Sequence, residues 1–187
     1  MKYNSETLIK ELIDYTQSFI EKAETFKGLP LEVLNMRESE KSWSILECIE
    51  HLNLYGDFYL KELEDRILTA RHGSEIDFKS TWFGNRTALS MLPVEDKKLN
   101  SMNAFKDKNP VNSNLSVVNV DRFIKQQKTL LSLLEQAKKV SLTKTKTKTT
   151  LPLIKFRLGD TLRFVIYHNV RHIIQAENML SRQKTEL

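Results

Sequence analysis

The chain holds four histidines, and three of them stand where they could bind a metal ion. His168 and His172 are four positions apart, so on a helix both side chains project from one face, about one turn apart. Imidazoles at this spacing can hold one divalent ion, as they do in helical zinc motifs. His51 lies in an apolar stretch of a different predicted helix. Three neutral donors with an open fourth position are typical of catalytic sites, so the pattern predicts a metal site formed by His51, His168 and His172.

A second interpretation of the histidines needs no metal. Histidine pairs with this spacing also arise by chance, and buried histidines are often hydrogen-bonded only to backbone carbonyls or carboxylates. His72 stands beside Gly73 at a predicted helix end, where we expect a surface position. Cys48, the single cysteine, comes three residues before His51 and is expected to pack in the core. On these residues alone, a metal site and a hydrogen-bonded histidine cluster both remain open.

Residues one helical turn away from the histidines are candidates for orienting them. Glu47 and Tyr55 lie one turn before and after His51. Gln175 lies one turn after the last histidine of the pair. Each of the three could hydrogen-bond a ligand from outside the site. Each also has a simpler use, because Glu47 can close a capping box, Tyr55 can pack and Gln175 can face solvent. Arg171 is expected to point away from the histidine face and to pair with a carboxylate.

The apolar spacing predicts four helices, of which the first two lie before residue 74. The first helix begins at Asn4 or Ser5, either of which can cap its free N–H groups, and it stops at Gly28. The second begins with a capping box formed by Ser44 and Glu47 and ends near residues 72–73. Both helices carry an apolar stripe with helical periodicity.

The third helix is predicted from about residue 119 to 139, and the fourth begins at residues 159–161, with Asp160 or Thr161 near its cap. Apolar residues lie almost all round the fourth helix, which marks it as the most buried of the four. Lysine and threonine alternate over residues 143–150 without an apolar face. We therefore expect an extended connection there rather than a strand.

Residues 74–118 lose the helical periodicity and are expected to form a long crossover between helices two and three. Loops of this length are often functional, as lids or binding loops. A short helix near residues 86–92 is compatible with the sequence, and Trp82 or Phe83 are expected to line a pocket beside His51. Two helices, a long crossover and two more helices predict an all-α four-helix bundle.

Length and composition narrow the class of protein. A chain of 187 residues, 40% hydrophobic and 28% charged, is expected to form a single globular domain over residues 1–187. The single cysteine and the absence of an apolar leader predict a cytoplasmic location. No apolar run approaches the roughly 20 residues of a membrane span, so we expect no membrane partner. The net charge of +5 comes from lysines interleaved with acidic residues. The densest basic run, residues 144–148, contains no aromatic residue, which argues against a nucleic-acid partner.

Two segments resemble motifs of the DinB-like superfamily. Residues 159–176 carry a histidine, two intervening residues, an arginine, a second histidine and then a glutamine three positions later, as in the family's last helix. Residues 43–52 resemble the family's Trp-Ser-Ile…His-Leu entry to helix two. The order of elements, including the long second connection, agrees with the family over nearly the whole chain.

The resemblance implies a divalent metal ion, zinc or nickel, on His51, His168 and His172, and it implies a homodimer. Relatives of this kind include transferases and isomerases that use low-molecular-weight thiols, while many members are described only as metal-dependent hydrolases. We therefore expect an enzyme with a small-molecule substrate, since a metal held by three neutral ligands can acidify a bound thiol or water. The alternative is a non-catalytic metal-binding or stress-response module with the same bundle, because a fold does not fix a reaction.

Overall fold

The structure is a computed structural model that describes residues 1–40, 42–93 and 104–183. Its helices are α1 (Ser5–Lys27), α2 (Leu31–Asn35), α3 (Ile45–Leu68), α4 (Trp82–Leu89), α5 (Val117–Ala137) and α6 (Leu158–Gln183), with a 3-10 turn at Lys106–Lys108. Its strands are β1 (Lys2–Asn4), β2 (Asp77–Lys79), β3 (Lys146–Lys148) and β4 (Lys155–Arg157). The strands form two small antiparallel ladders, β1 with β2 and β3 with β4.

The four long helices, α1, α3, α5 and α6, form the bundle that the sequence predicts. Helix α5 packs against α1 and α3, and α6 packs against α1, α3 and α4. All four contribute almost fully buried apolar side chains to one core, among them Leu12, Phe19, Ile49, Leu63, Phe123, Leu134 and Ile166. The prediction of an all-α fold is confirmed. None of the helices in the described ranges combines the length and the apolar content that crossing a bilayer requires.

The predicted start signals locate two of the long helices. Asn4 caps α1 by accepting a hydrogen bond from the Thr7 N–H at 2.9 Å. Ser44 and Glu47 close a reciprocal capping box at the start of α3. Helix α5 begins at Val117, two residues before the predicted start, because Ser116 forms a second capping box there. Helix α3 ends at Leu68, a turn earlier than predicted.

The described part of the crossover contains regular structure. Strand β2 pairs with β1 at the N-terminus, and α4 spans Trp82–Leu89. This helix begins earlier than the predicted short helix at residues 86–92, because Thr81 caps it by accepting from the Gly84 N–H at 2.9 Å. Residues 94–103 of the predicted crossover lie outside the described residues.

The expectation of an extended connection without a strand at residues 143–150 is wrong. Lys146–Lys148 form β3, which pairs with β4 in antiparallel register. Thr147 is fully buried on the inner face, where its hydroxyl lies 2.6 Å from that of Thr161, while Lys146 and Lys148 face outward. A threonine whose hydroxyl is satisfied inside the protein thus replaces the apolar inner face that the sequence lacks.

Asp160 has a different role from the predicted helix cap. Helix α6 already begins at Leu158, and the carboxylate of Asp160 is fully buried. It accepts hydrogen bonds from the Ser80 hydroxyl and, at 3.2 Å, from the Thr81 N–H. Gly84 lies so close to this carboxylate that a Cβ atom there would meet it at 2.4 Å. The carboxylate therefore fastens the start of α4 onto α6.

Arg163, one turn further along α6, is also fully buried. Its guanidinium lies 3.9 Å from the Asp160 carboxylate and stacks 4.2 Å from the centre of the Tyr3 ring. It donates to Tyr3 Oη at 2.8 Å and to Asn85 Oδ1 at 2.9 Å. A buried charge needs such partners, so this cluster ties β1 and α4 to the helix that carries two of the histidines.

Replacing Asp160 by alanine should lower the free energy of unfolding by about 3–5 kcal/mol, because the buried guanidinium of Arg163 loses its carboxylate. Urea denaturation followed by circular dichroism measures this loss. The matched control is Asp14→Ala, which removes an exposed carboxylate paired with Lys10 and should cost at most about 1 kcal/mol. Equal losses in the two variants would contradict the role given to Asp160.

Candidate metal centre

The imidazoles of His51, His168 and His172 meet between α3 and α6, and all three residues are buried. The ring centres of His51 and His172 lie 4.6 Å apart, those of His168 and His172 4.7 Å, and those of His51 and His168 5.0 Å. Each ring offers one nitrogen to the cluster, and these three atoms all lie within 4.8 Å of one another. The structure therefore brings together the three residues that the sequence analysis singled out.

The outer hydrogen bonds of two rings indicate which nitrogens carry protons. His51 Nδ1 lies 2.6 Å from the backbone oxygen of Lys108, and His172 Nδ1 lies 3.0 Å from Gln175 Oε1. Because these oxygens accept hydrogen bonds, we infer that both Nδ1 atoms are protonated and donate. The Nε2 atoms of these two rings then carry free lone pairs, as metal ligation requires.

The spacing within the cluster fits a divalent ion. His51 Nε2 and His168 Nε2 are 3.2 Å apart. Two imidazole nitrogens bound tetrahedrally at about 2.0–2.1 Å from zinc would be separated by about 3.3 Å. A hydrogen bond between the two rings would give a similar distance, which is the interpretation without a metal. Neutral imidazole donors suit zinc and nickel, so the donor set fits such an ion.

Two of the three candidate orienting residues contact the histidines. Gln175 accepts from His172, as described above, and Tyr55 packs its ring 5.0 Å from that of His51 and 4.6 Å from that of His168. Glu47 has other partners in the described chain, because its carboxylate closes the capping box and accepts from Arg37 Nε at 2.8 Å. An influence of these three residues on a bound metal stays a prediction.

Aromatic side chains that the sequence analysis did not assign to the site enclose the cluster. The Trp43 ring centre lies 4.7 Å from that of His51 and 5.7 Å from that of His172. Phe164 stacks on His168 with ring centres 5.9 Å apart. Both residues could have been assigned to the site from the sequence, since Trp43 belongs to the entry motif and Phe164 lies four positions before a histidine. The role of the Lys108 carbonyl could not be predicted, because every residue has a backbone carbonyl and the residue type does not indicate which one is used.

A cavity of about 760 Å³ opens beside the histidines. Trp82 and Phe83, which we expected in its wall, are not among its lining residues, and Trp82 is 76% exposed. The crossover contributes other residues instead, namely Thr87, Met91, Ala104, Phe105 and Asn109. Helix α4 turns Trp82 to solvent because Gly84 and Ala88 form its buried side. The crossover therefore does line the pocket, but through different side chains.

Arg171 also lines this cavity, contrary to the expectation that it points away. Positions 168, 171, 172 and 175 follow the spacing of a single helical face, so the arginine shares the side of α6 that carries the histidines. The residue is 7% exposed. The pocket wall therefore contains a cationic side chain next to the cluster.

The model of the DinB superfamily matches residues 21–176. The chain belongs to the DinB superfamily. No curated protein and no solved structure matches it. The matched range contains His51, His168 and His172, so the cluster lies within the part that the superfamily shares.

Burial keeps the histidines of this superfamily member neutral. It lowers the pKa of His51 to about 4, although the hydrogen bond to the Lys108 carbonyl acts in the opposite direction. Burial, followed by the charges of the neighbouring histidines, holds the pKa values of His168 and His172 well below the usual range. At neutral pH, a metal ion would therefore not have to displace a proton from these rings.

The metal-free protein should lose stability as the pH falls below about 6.5. In the unfolded chain the three histidines take up protons near this value, whereas folded His51 does so only near 4. The unfolded state then binds more protons, so the free energy of unfolding falls by up to about 1.4 kcal/mol per histidine and pH unit. Urea denaturation of chelated protein at pH 7.5 and 5.5 measures this change. A variant with all three residues changed to glutamine should show a smaller fall, and an equal fall in both proteins would contradict the prediction.

Proposed function

We propose that His51, His168 and His172 bind one divalent metal ion, zinc or nickel, and that the protein is an enzyme acting on a small molecule in the adjoining cavity. The observation that carries this proposal is the convergence of three buried, neutral imidazoles on one point in the wall of a cavity of about 760 Å³. A cavity of this size fits a small organic substrate.

The residues around the cluster would prepare the site for such an ion. The Lys108 carbonyl and Gln175 hold two rings in the tautomer that directs Nε2 inward. Trp43 packs against His51, and Phe164 stacks on His168. An ion with three neutral ligands and an open position would lower the pKa of a thiol or water molecule bound there. Burial raises the pKa of Tyr55 to about 12, so its hydroxyl stays protonated and can donate to a substrate.

We propose a low-molecular-weight thiol, rather than water, as the group that this site activates. Metal-dependent hydrolysis of the helical-motif type uses a glutamate as general base. Among the described residues that line the cavity there is neither an aspartate nor a glutamate. A thiol is far more acidic than water and needs less help to lose its proton. Attack of the intact thiolate on an electrophilic carbon of the substrate, with departure of a leaving group from that carbon, therefore suits this pocket better than hydrolysis.

We further propose that the enzyme works as a homodimer in the cytoplasm. Large apolar side chains of β2, α4 and their surroundings are exposed in the described chain, among them Ile76, Trp82, Phe83 and Leu89. A second copy would cover such surface. Cys48 is free and buried, as suits a reducing compartment. A non-catalytic metal-binding module remains the alternative, and the thiol-binding and turnover experiment below separates it from the enzyme.

Purified protein should bind up to one divalent ion per chain and lose it to a chelator. Changing His51, His168 or His172 to alanine should weaken the affinity by more than about 100-fold, since each change removes a ligand rather than an orienting group. Metal analysis and competition with a chromogenic chelator measure this loss. His72→Ala is the matched control and should bind normally, because this fourth histidine lies outside the cluster. Full retention in the His168/His172 double variant would exclude the site.

A small thiol should bind to the cobalt-substituted protein with its sulfur on the metal. Thiolate ligation to cobalt gives an intense near-ultraviolet absorption band, and the alcohol of the same skeleton serves as the control. Thiol binding together with consumption of an electrophile would support the transferase. Turnover of an ester or amide without any effect of thiols would show that the protein is a hydrolase rather than a transferase. Metal binding without either result would leave the non-catalytic module.

A further inference from the structure

The described part of the cavity wall contains a cationic side chain and no carboxylate. The whole chain carries 29 basic and 24 acidic residues, so cations and anions are nearly balanced. Among the described residues that line the cavity, however, Arg171 is the one arginine or lysine, and there is no aspartate or glutamate. A metal ion held by the histidines would add further positive charge. A ligand with a negative group is therefore complementary to this wall.

Arg171 is positioned to recognise that group. It precedes His172 on α6 and lines the cavity while being only 7% exposed, so its charge acts in a partly desolvated environment where ionic interactions are strong. Arg171 lies between His168 and His172 on the same helical face, and all three residues line the cavity. Arg171 takes part in another interaction as well, but a guanidinium has five N–H donors and can serve more than one acceptor.

The rest of the wall is suited to an organic skeleton. Aromatic rings surround the cavity, including Trp43, Tyr55, Phe105, Phe156 and Phe164. Hydroxyl groups of Thr149 and Thr150 line another part of it. Such a lining favours an apolar body that carries few polar groups.

We infer that the ligand of this cavity is a small carboxylic acid whose carboxylate is held by the forked guanidinium of Arg171 and whose apolar body lies against the aromatic wall. A planar carboxylate with a single charge matches one guanidinium, which can bind both oxygens at once. The inference rests on the proposed function in one respect only, namely that the reacting end of this carboxylic acid would face the histidines. It thereby narrows the substrate class from small molecules in general to organic carboxylates.

The test compares 3-phenylpropionate with 3-phenyl-1-propanol, which has the same skeleton without the charge. Binding to the full-length chain is measured by titration calorimetry after chelation, because a carboxylate could otherwise bind to the ion itself. The acid should bind to the wild type at least about tenfold more tightly than the alcohol. Arg171→Gln should weaken acid binding by roughly ten- to 100-fold and leave alcohol binding unchanged.

Arg182→Gln is the matched control, because it removes the same charge from an exposed position of the same helix. This variant should keep the preference for the acid. Circular dichroism checks that each variant folds. If a variant does not fold, the comparison of the two ligands on the wild type still tests the inference. Equal affinities of the wild type for acid and alcohol, no binding of the acid, or a preference that survives Arg171→Gln would overturn the inference. Failure of thiols to reach the cobalt-substituted site would instead overturn the proposed function and leave this result intact.

Discussion

The packing of α6 against α3 is the constraint on which the site depends. This contact removes three imidazoles from water, and the cost of charging them there keeps all three neutral. Neutral rings can lie with nitrogens 3.2 Å apart, whereas protonated rings at that distance would repel one another. Burial disfavours protonation of the three rings. Their nitrogen lone pairs therefore stay free to bind a divalent ion.

Helix α6 also holds the crossover in place. Its first turn carries Asp160, which binds the start of α4, and its second turn carries Arg163, which binds β1 and α4. Further along the crossover, the carbonyl of Lys108 accepts from His51. The described parts of the crossover that line the cavity are thus fixed at one end by the helix that carries His168 and His172, and at the other by His51. This arrangement links the shape of the pocket to the orientation of the histidines.

Much of this architecture could be predicted from the sequence. Helical periodicity and the capping signals at Asn4 and Ser44 located α1 and α3, because these signals are local. The pair His168 and His172 was equally clear, since helical spacing fixes which side chains share a face. The same rule would have placed Arg171 on that face, but its charge suggested that it points away and pairs with a carboxylate. The error shows that helical spacing is a better guide than side-chain charge to the face on which this arginine lies.

Other features depend on contacts between distant parts of the chain. Asp160 and Arg163 have the residue types of a helix cap and a solvated surface, and only their partners in β1 and α4 explain their burial. Strand β3 can form without an apolar inner face because the buried hydroxyl of Thr147 is hydrogen-bonded to that of Thr161. The Lys108 carbonyl is a backbone atom. No periodicity of the sequence encodes these three features.

X-ray absorption spectroscopy of the zinc- or nickel-loaded protein tests the central claim most directly, because it counts the imidazoles bound to the ion. The account predicts three of them, with metal–nitrogen distances of about 2.0–2.1 Å for zinc and no sulfur in the protein without added thiol. Fewer than three imidazoles, or a sulfur ligand at about 2.3 Å from zinc, would contradict a centre formed by His51, His168 and His172.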